Sequence, residues 1–305
     1  MMNSCSRPAG RLRVGLVALV CALAFPVPHG ARAAAAFPLT VRDALGRRVT
    51  IPRPPQRITS VAPSVTEILF ALGLGDNIVG ISDADDYPAS GLRGKTRVGG
   101  VILNVERILA LRPDLVIGVA GLQQGQLERL IRLGLPVLAV EARSLEETFA
   151  QISLLGRVTG RGAAAGRLLG GLRARVAAVE RRVRGRAPPR VYVEIWGEPL
   201  QTAGAGTFID DLVRRAGGRN LMADLHGWPQ VAPEAVVRRD PEVILLTYAG
   251  RQRVAARVGW AGVAAVRRSR IYELDPDLVS RPGPRLVDGL ERIARLLHRE
   301  AFSLP

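Results

Sequence analysis

Several residues of this chain are placed to act on a flat or charged ligand. Tyr87, in the tripeptide DYP, and Trp228, in WPQV, each sit beside a proline in loop-like sequence, outside any periodic apolar run. Aromatic faces of this kind cover broad apolar surfaces. Trp196 falls at the end of the strand-like run RVYVEIW, where the ligand sites of α/β sheets lie. Trp260 has a less distinctive setting and reads as structural. Arg281 and Arg285 flank Pro282-Gly283-Pro284. The prolines stiffen that loop and the glycine permits a tight turn, so a guanidinium there can be held ready for a carboxylate or phosphate. An arginine at a helix start can equally serve backbone carbonyls. His226, two residues before Trp228, could ligate a metal that arrives inside a ligand. No second His or Cys lies near it in sequence, so the protein is expected to build no metal site of its own, and a plain loop histidine is the alternative.

Two glutamates form a pair by repetition. Glu106 lies in VERILALRPDLVIG and Glu234 in PEAVVRRDPEVILL, 128 residues apart. Each is followed by a proline (Pro113, Pro241), an acid (Asp114, Glu242) and a branched apolar run. A first-turn acid favours its helix by about 0.3–1 kcal/mol, which is one sufficient reason for it. Its recurrence suggests another, an exposed carboxylate on each half of the molecule. Upstream, LFALGLGDNIV resembles LVRRAGGRNLM, with Gly75 and Asn77 matching Gly218 and Asn220. The period is far longer than the roughly 20–50 residues of a solenoid, so two similar lobes with a cleft between them are expected.

The elements that must hold these residues alternate. Pro38 to Pro52 reads as a hairpin, and 58–61 as a strand followed by a helix capped by Ser64 or Thr66 and ended at Gly73 and Gly75. A strand at 78–81 and a helix from Val105 capped by Asn104 follow, with Glu106 in its first turn. A strand at 115–119, a helix over 123–133 and a strand at 136–140 complete the first half. Ser144 to Glu147 is a capping-box pattern that opens about forty helical residues without proline, with glycines that can divide them in two. The second half repeats the order: strand 191–195, helices 207–215 and 234–239, strand 243–247, and a last helix near 286–298. This predicts an α/β fold of two Rossmann-like lobes joined by a long backbone helix, with the ligand cleft between the lobes. The divisions expected are a leader at 1–33, a first lobe at 34–143, a helical linker at 144–187 and a second lobe at 188–305. A stiff linker should restrict hinge closure.

Composition bounds the rest. Arg7, Arg11 and Arg13, the apolar run Val14 to Val27 and Ala31-Arg32-Ala33 make a cleaved export signal. Both cysteines, Cys5 and Cys21, fall inside it; Val20 disfavours Cys21 as a lipid attachment point. The remaining chain therefore needs no disulfide. Its net charge of +16 falls to +12 without the leader, and Lys95 is the only lysine. Export and the lack of a recognition motif exclude nucleic acid as the partner, and the arginines read as solvated helix faces. There is no G-x-S-x-G elbow, Walker motif or dinucleotide fingerprint, so no catalytic residue is assigned.

The RITSVAPSVTEILFALGLGDNIVGI start, DYP, the VERILALRPDLVIG block, the helical linker, WPQV and RPGPRL before the last helix together resemble the helical-backbone class of periplasmic solute-binding proteins, which serve ABC importers for vitamin B12, ferric siderophores and haem. The cobalamin-binding branch is the nearest match. The resemblance implies that Tyr87 and Trp228 contact a corrin ring, that Asp277 and Arg281 meet its polar rim, and that Glu106 and Glu234 dock on arginines of a permease dimer. Two tryptophan positions of the cobalamin binder fall on Gly99–Leu103 and Val119–Gly121, which hold no aromatic; Trp196 can compensate from the other lobe. The implied protein is a monomeric periplasmic receptor without an intrinsic cofactor, its ligand a cobalt or iron chelate. A ferric siderophore or haem is the alternative cargo. A secreted α/β enzyme and a membrane-bound sensor input are the rival classes.

Overall fold

The computed structural model describes residues 1–2 and 36–302, so the leader's cleavage site, Cys5 and Cys21 lie outside the described residues. The chain enters through an antiparallel hairpin of β1 (Leu39–Arg42) and β2 (Arg48–Ile51). Asp43 builds its turn by accepting the backbone N–H groups of Leu45 and Arg47.

The first half comprises β3 (Ile58–Ser60), α1 (Pro63–Ala71), β4 (Ile78–Ile81), β5 (Thr96–Arg97), α2 (Val105–Ala110), β6 (Leu115–Val119), α3 (Ala120–Arg132) and β7 (Val137–Val140). Its strands form a parallel sheet in the order β5-β4-β3-β6-β7. The central strands are buried on both faces, as helix-covered parallel sheets require. α1 starts two residues earlier than a Ser64 cap would have it: Pro63 occupies the first turn, where its missing N–H costs nothing, and Ala62 is the cap. Thr66 Oγ1 is thereby free to sit within hydrogen-bonding distance of both Ser60 Oγ and Asp85 Oδ2, with one proton to share between them. Asn104 caps α2 as expected, its side chain accepting from Arg107 N at 2.9 Å.

Two helices follow, α4 (Leu145–Val158) and α5 (Gly162–Val183). They separate at Gly160, which sits at φ +71°. Ser144 caps α4 by accepting from Glu147 N, while the Glu147 carboxylate takes the N–H of Arg143, one residue before the usual capping-box partner. α5 buries Ala165, Leu169, Leu172, Val176, Val179 and Val183, one stripe at alternating spacings of four and three. Its 22 residues span about 33 Å.

The second half comprises β8 (Arg190–Gly197), β9 (Leu200–Thr202), α6 (Phe208–Arg215), β10 (Arg219–Asn220), α7 (Pro233–Arg239), β11 (Val243–Leu246), α8 (Arg251–Ala255), α9 (Ala264–Arg267), β12 (Ile271–Glu273), α10 (Pro276–Ser280) and α11 (Leu286–Leu297). β10-β8-β11-β12 run parallel and β9 pairs antiparallel with β8. This order repeats β4-β3-β6-β7 of the first half. The short β5, β9, β10 and β12 and helices α8 to α10 were not legible as elements.

The sequence repeat has a structural cause. Asp114 accepts the backbone N–H of Arg57 at 2.9 Å, and Glu242 accepts that of Arg190 at 2.9 Å. Before the two prolines, Arg112 and Asp240 take left-handed φ of 44° and 43°. The same clasp therefore closes each half between its first strand and the strand beside it. The matched asparagines diverge: Asn77 reaches Gln56 O, whereas Asn220 reaches Ala203 O and Asp210.

One apolar core runs through both halves. It joins Ile58, Leu69 and Leu138 to Phe149 and Ile152 of α4, Leu172 and Val176 of α5, and Leu290 and Ile293 of α11. The linker helices are thus packed into the molecule, not strung between its parts.

Candidate functional site

The carboxyl ends of the strands open on a cavity of about 880 Å³. In parallel sheets such ends leave backbone groups and loops free to bind. One wall comes from the first half: Val61–Ser64 beyond β3, Ser82 and Ala84 beyond β4, Val119 and Leu122 at the start of α3, and Glu141–Arg143 beyond β7. The other comes from the second half: Ala205–Phe208 before α6, His226–Trp228, and Ser280–Pro282 at the end of α10. Gly204, just before this stretch, admits no side chain, because Leu225 O lies 2.4 Å from where a Cβ would stand.

Trp228 lines the cavity and rests against Phe208, ring centroids 5.4 Å apart. It is 42% exposed, a large apolar face left open inside a cleft. His226 is also on the wall and exposed. Among the described residues no group of three or more His, Cys, Asp or Glu could hold a metal ion.

Arg281 lines the cavity, yet its guanidinium is already engaged. It donates to Asp86 at 2.5 and 3.0 Å and to Glu67 at 3.3 Å, and pairs with Asp277 at 2.8 Å. Arg285 adds two bonds to Glu67, 2.9 and 2.6 Å, and stacks on Tyr87 at 4.3 Å. The bond from Arg281 holds the Asp86 carboxyl below the usual carboxylate range. Burial pushes Asp277 up. Next to this cluster Asp85 is buried and accepts from Ser82 N and Thr66, while its second oxygen has no partner; burial raises its pKa to about 6.

Two sequence-predicted contacts stand elsewhere. Tyr87 is outside the cavity wall, under Arg285. Trp196 does lie at the end of β8, one residue before Gly197, but that end turns into a hairpin with β9, where Trp196 donates to Glu198 O beside a smaller cavity holding Tyr248, Arg253 and Arg257. Asp277 reaches the site only through Arg281. Sequence reasoning missed Glu67, Asp86, Phe208, Glu141 and Arg143. The signal for Glu67 was present, a lone acid in the apolar helix SVTEILF.

Glu106 and Glu234 sit in the first turns of α2 and α7, both exposed. Neither carboxylate makes a hydrogen bond or ion pair among the described residues.

A cleft between two parallel sheets, each with helices, tied by helical linkers, defines a two-lobed solute-binding protein. The family model described as "Periplasmic binding protein" matches residues 58–278, and the chain belongs to that family. It is 33% identical over 276 residues to an uncharacterized ABC transporter substrate-binding lipoprotein, YvrC, of Bacillus subtilis, covering 88% of each chain. The structure of the periplasmic vitamin B12 binding protein BtuF of Vibrio cholerae superposes with TM-score 0.72 at 29% identity, covering 82% of this chain and 99% of that one. The periplasmic heme-binding protein RhuT from Roseiflexus matches with TM-score 0.72 at 28% identity, covering 81% and 99%. The chain is an ABC transporter substrate-binding protein, of a family that binds solutes for transport. No helix among the described residues is long and apolar enough to cross a membrane.

Proposed function

We propose that this protein captures a corrinoid of the cobalamin type outside the cytoplasmic membrane and delivers it to an ABC permease dimer. The supporting observation is the wall of the cleft: Trp228 backed by Phe208 on one side, and apolar side chains such as Val61, Val119 and Leu122 on the other. A corrin is a wide apolar disc with polar substituents, and such walls suit its faces. Residues 34–143 and 188–305 act as the two lobes and 144–187 as their linker. Trp228 is the ring contact. Arg281 meets the cargo's rim, while Tyr87 and Asp277 act behind it by fixing Arg285 and Arg281. Trp196 contacts only cargo that extends past the hairpin. Glu106 and Glu234 dock the permease. A monomer exported to the periplasm fits this role.

His226 on the cavity wall favours a second reading, an iron porphyrin held through its axial face. Titration calorimetry of the protein without its leader against cyanocobalamin, cobinamide, haemin and a ferric hydroxamate separates the readings. Stoichiometric heat with the two corrinoids is expected. Heat with haemin alone would install the second reading, and conversion of any of them would make the protein an enzyme.

A further inference from the structure

The chain carries 43 Lys and Arg against 27 Asp and Glu, yet among the described residues no unpaired lysine or arginine lines its cleft. The wall holds two arginines, Arg143 and Arg281, and both grip carboxylates. Arg143 reaches Glu141 through Nε and Nη2 at 3.2 and 3.0 Å. Arg281 divides itself among Asp86, Glu67 and Asp277. With Arg285 behind it, two guanidiniums face three carboxyl groups, so that corner has no positive charge to spare. Glu141 and Arg143 cancel.

We infer that the cleft selects cargo whose rim is uncharged, carboxamides or hydroxamates, and rejects cargo bearing free carboxylates or catecholates. The inference rests on the proposed role as a metal-chelate receptor and narrows it. A ligand carboxylate arriving at Arg281 must displace Asp86. That exchanges one ion pair for another and leaves Asp86 unpaired beside Glu67. The ligand's acid also loses its hydration, and nothing offsets that loss. A carboxamide needs no counter-ion and costs far less to bury when hydrogen-bonded. Ser64, Ser82 and Ser280 on the wall supply neutral partners. A porphyrin with two propionates fails this criterion; a corrin fringed with amides meets it.

The test holds the macrocycle constant and changes only its rim. Affinities are measured for dicyanocobinamide, with rim amides, and dicyanocobyrinic acid, with free rim carboxylates. The amide form should bind at least about a hundredfold more tightly, since like-charge juxtaposition costs several kcal/mol. Equal affinities, or tighter binding of the acid, would overturn the inference and leave the corrinoid reading standing. Binding of neither would end the corrinoid reading. The rim inference would then be decided on iron chelates, a neutral ferric trihydroxamate against an anionic ferric tricatecholate: preference for the catecholate, or no binding of either, overturns it. Asp86→Asn gives an internal check, because Asp86 is exposed and its loss frees part of Arg281. The variant should narrow the amide-to-acid affinity ratio about tenfold, chiefly through tighter binding of the acid. An unaltered ratio would remove Arg281 and Asp86 from the selection and overturn the mechanism.

Discussion

Arg285, at the start of α11, closes a two-pronged ion pair on Glu67 in the middle of α1, 218 residues away. Glu67 has a side chain only 2% exposed. The pair and the Arg281–Asp86 bond beside it tie the two halves together independently of α5. Closure of the cleft by a wide hinge would have to break both ties and shear the shared core.

Removing one partner should therefore be costly. Glu67→Ala leaves Arg281 and Arg285 short of their common acceptor in a largely buried place. A loss of about 3 kcal/mol or more in unfolding free energy is expected in urea titrations. Loss below about 1 kcal/mol would show that solvent already satisfies the two arginines.

Trp228 and Trp196 should separate cleanly. Trp228→Ala removes the aromatic face that Phe208 supports inside the cavity, and cargo affinity should fall at least about tenfold. Trp196→Ala, altering a hairpin beside the smaller cavity, should leave affinity within about threefold. Calorimetry on both variants checks this; the reverse ranking would move the ring site to the hairpin.

The buried Asp85 gives the protein a pH-dependent element. Its carboxyl keeps its proton up to about pH 6 in the native state, because burial opposes ionisation more than Thr66, Ser82, Arg281 and Arg97 favour it. The unfolded carboxyl releases its proton near 3.8. Between those values the native state binds more protons, so this group's contribution is full at the acid end and disappears as pH rises to about 6. Asp85→Asn keeps one oxygen for Ser82 N and Thr66 and cannot ionise. At pH 7 it should be about 1–3 kcal/mol more stable than the parent, the gap closing by pH 4. Urea midpoints at both pH values read this out. A variant no more stable at neutral pH would mean that Asp85 is ionised in place.

The two-lobed plan was legible because repeats and periodicity are local. A strand, a cap such as Asn104 and a glycine such as Gly160 each betray themselves within a few residues. The clamp was not legible, since Arg281 meets Asp86 across 195 residues and only the docking of two finished sheets sets that meeting. Trp196 is a related case. The sequence places it at a strand end, where it lies, but did not show that β9 folds back on that end and sets it apart from the large cavity. Arg281 was legible as a cavity residue, whereas its occupancy by three carboxylates was not.

Glu106 and Glu234 carry the last prediction. Most of their repeated surroundings are explained from within. Asp114 and Glu242 clasp Arg57 and Arg190, and Arg112 and Asp240 turn left-handed ahead of the prolines. The two glutamates alone do nothing internal beyond a first-turn preference that many residues could meet. A feature kept in both halves and unused by the fold points outward, and one carboxylate on each half suits a two-fold partner. Changing both to Arg should lower folding stability by about 0.6–2 kcal/mol, the two first-turn preferences summed, and leave the fold intact because both positions are exposed. Cargo affinity should not move, because neither residue lines the cavity. Uptake through the cognate permease should fail in the double variant and weaken in each single one. Binding to the permease in lipid discs should weaken with salt in the parent and lose that sensitivity in the variant. Normal uptake by the double variant would return both glutamates to the role of helix-starting acids.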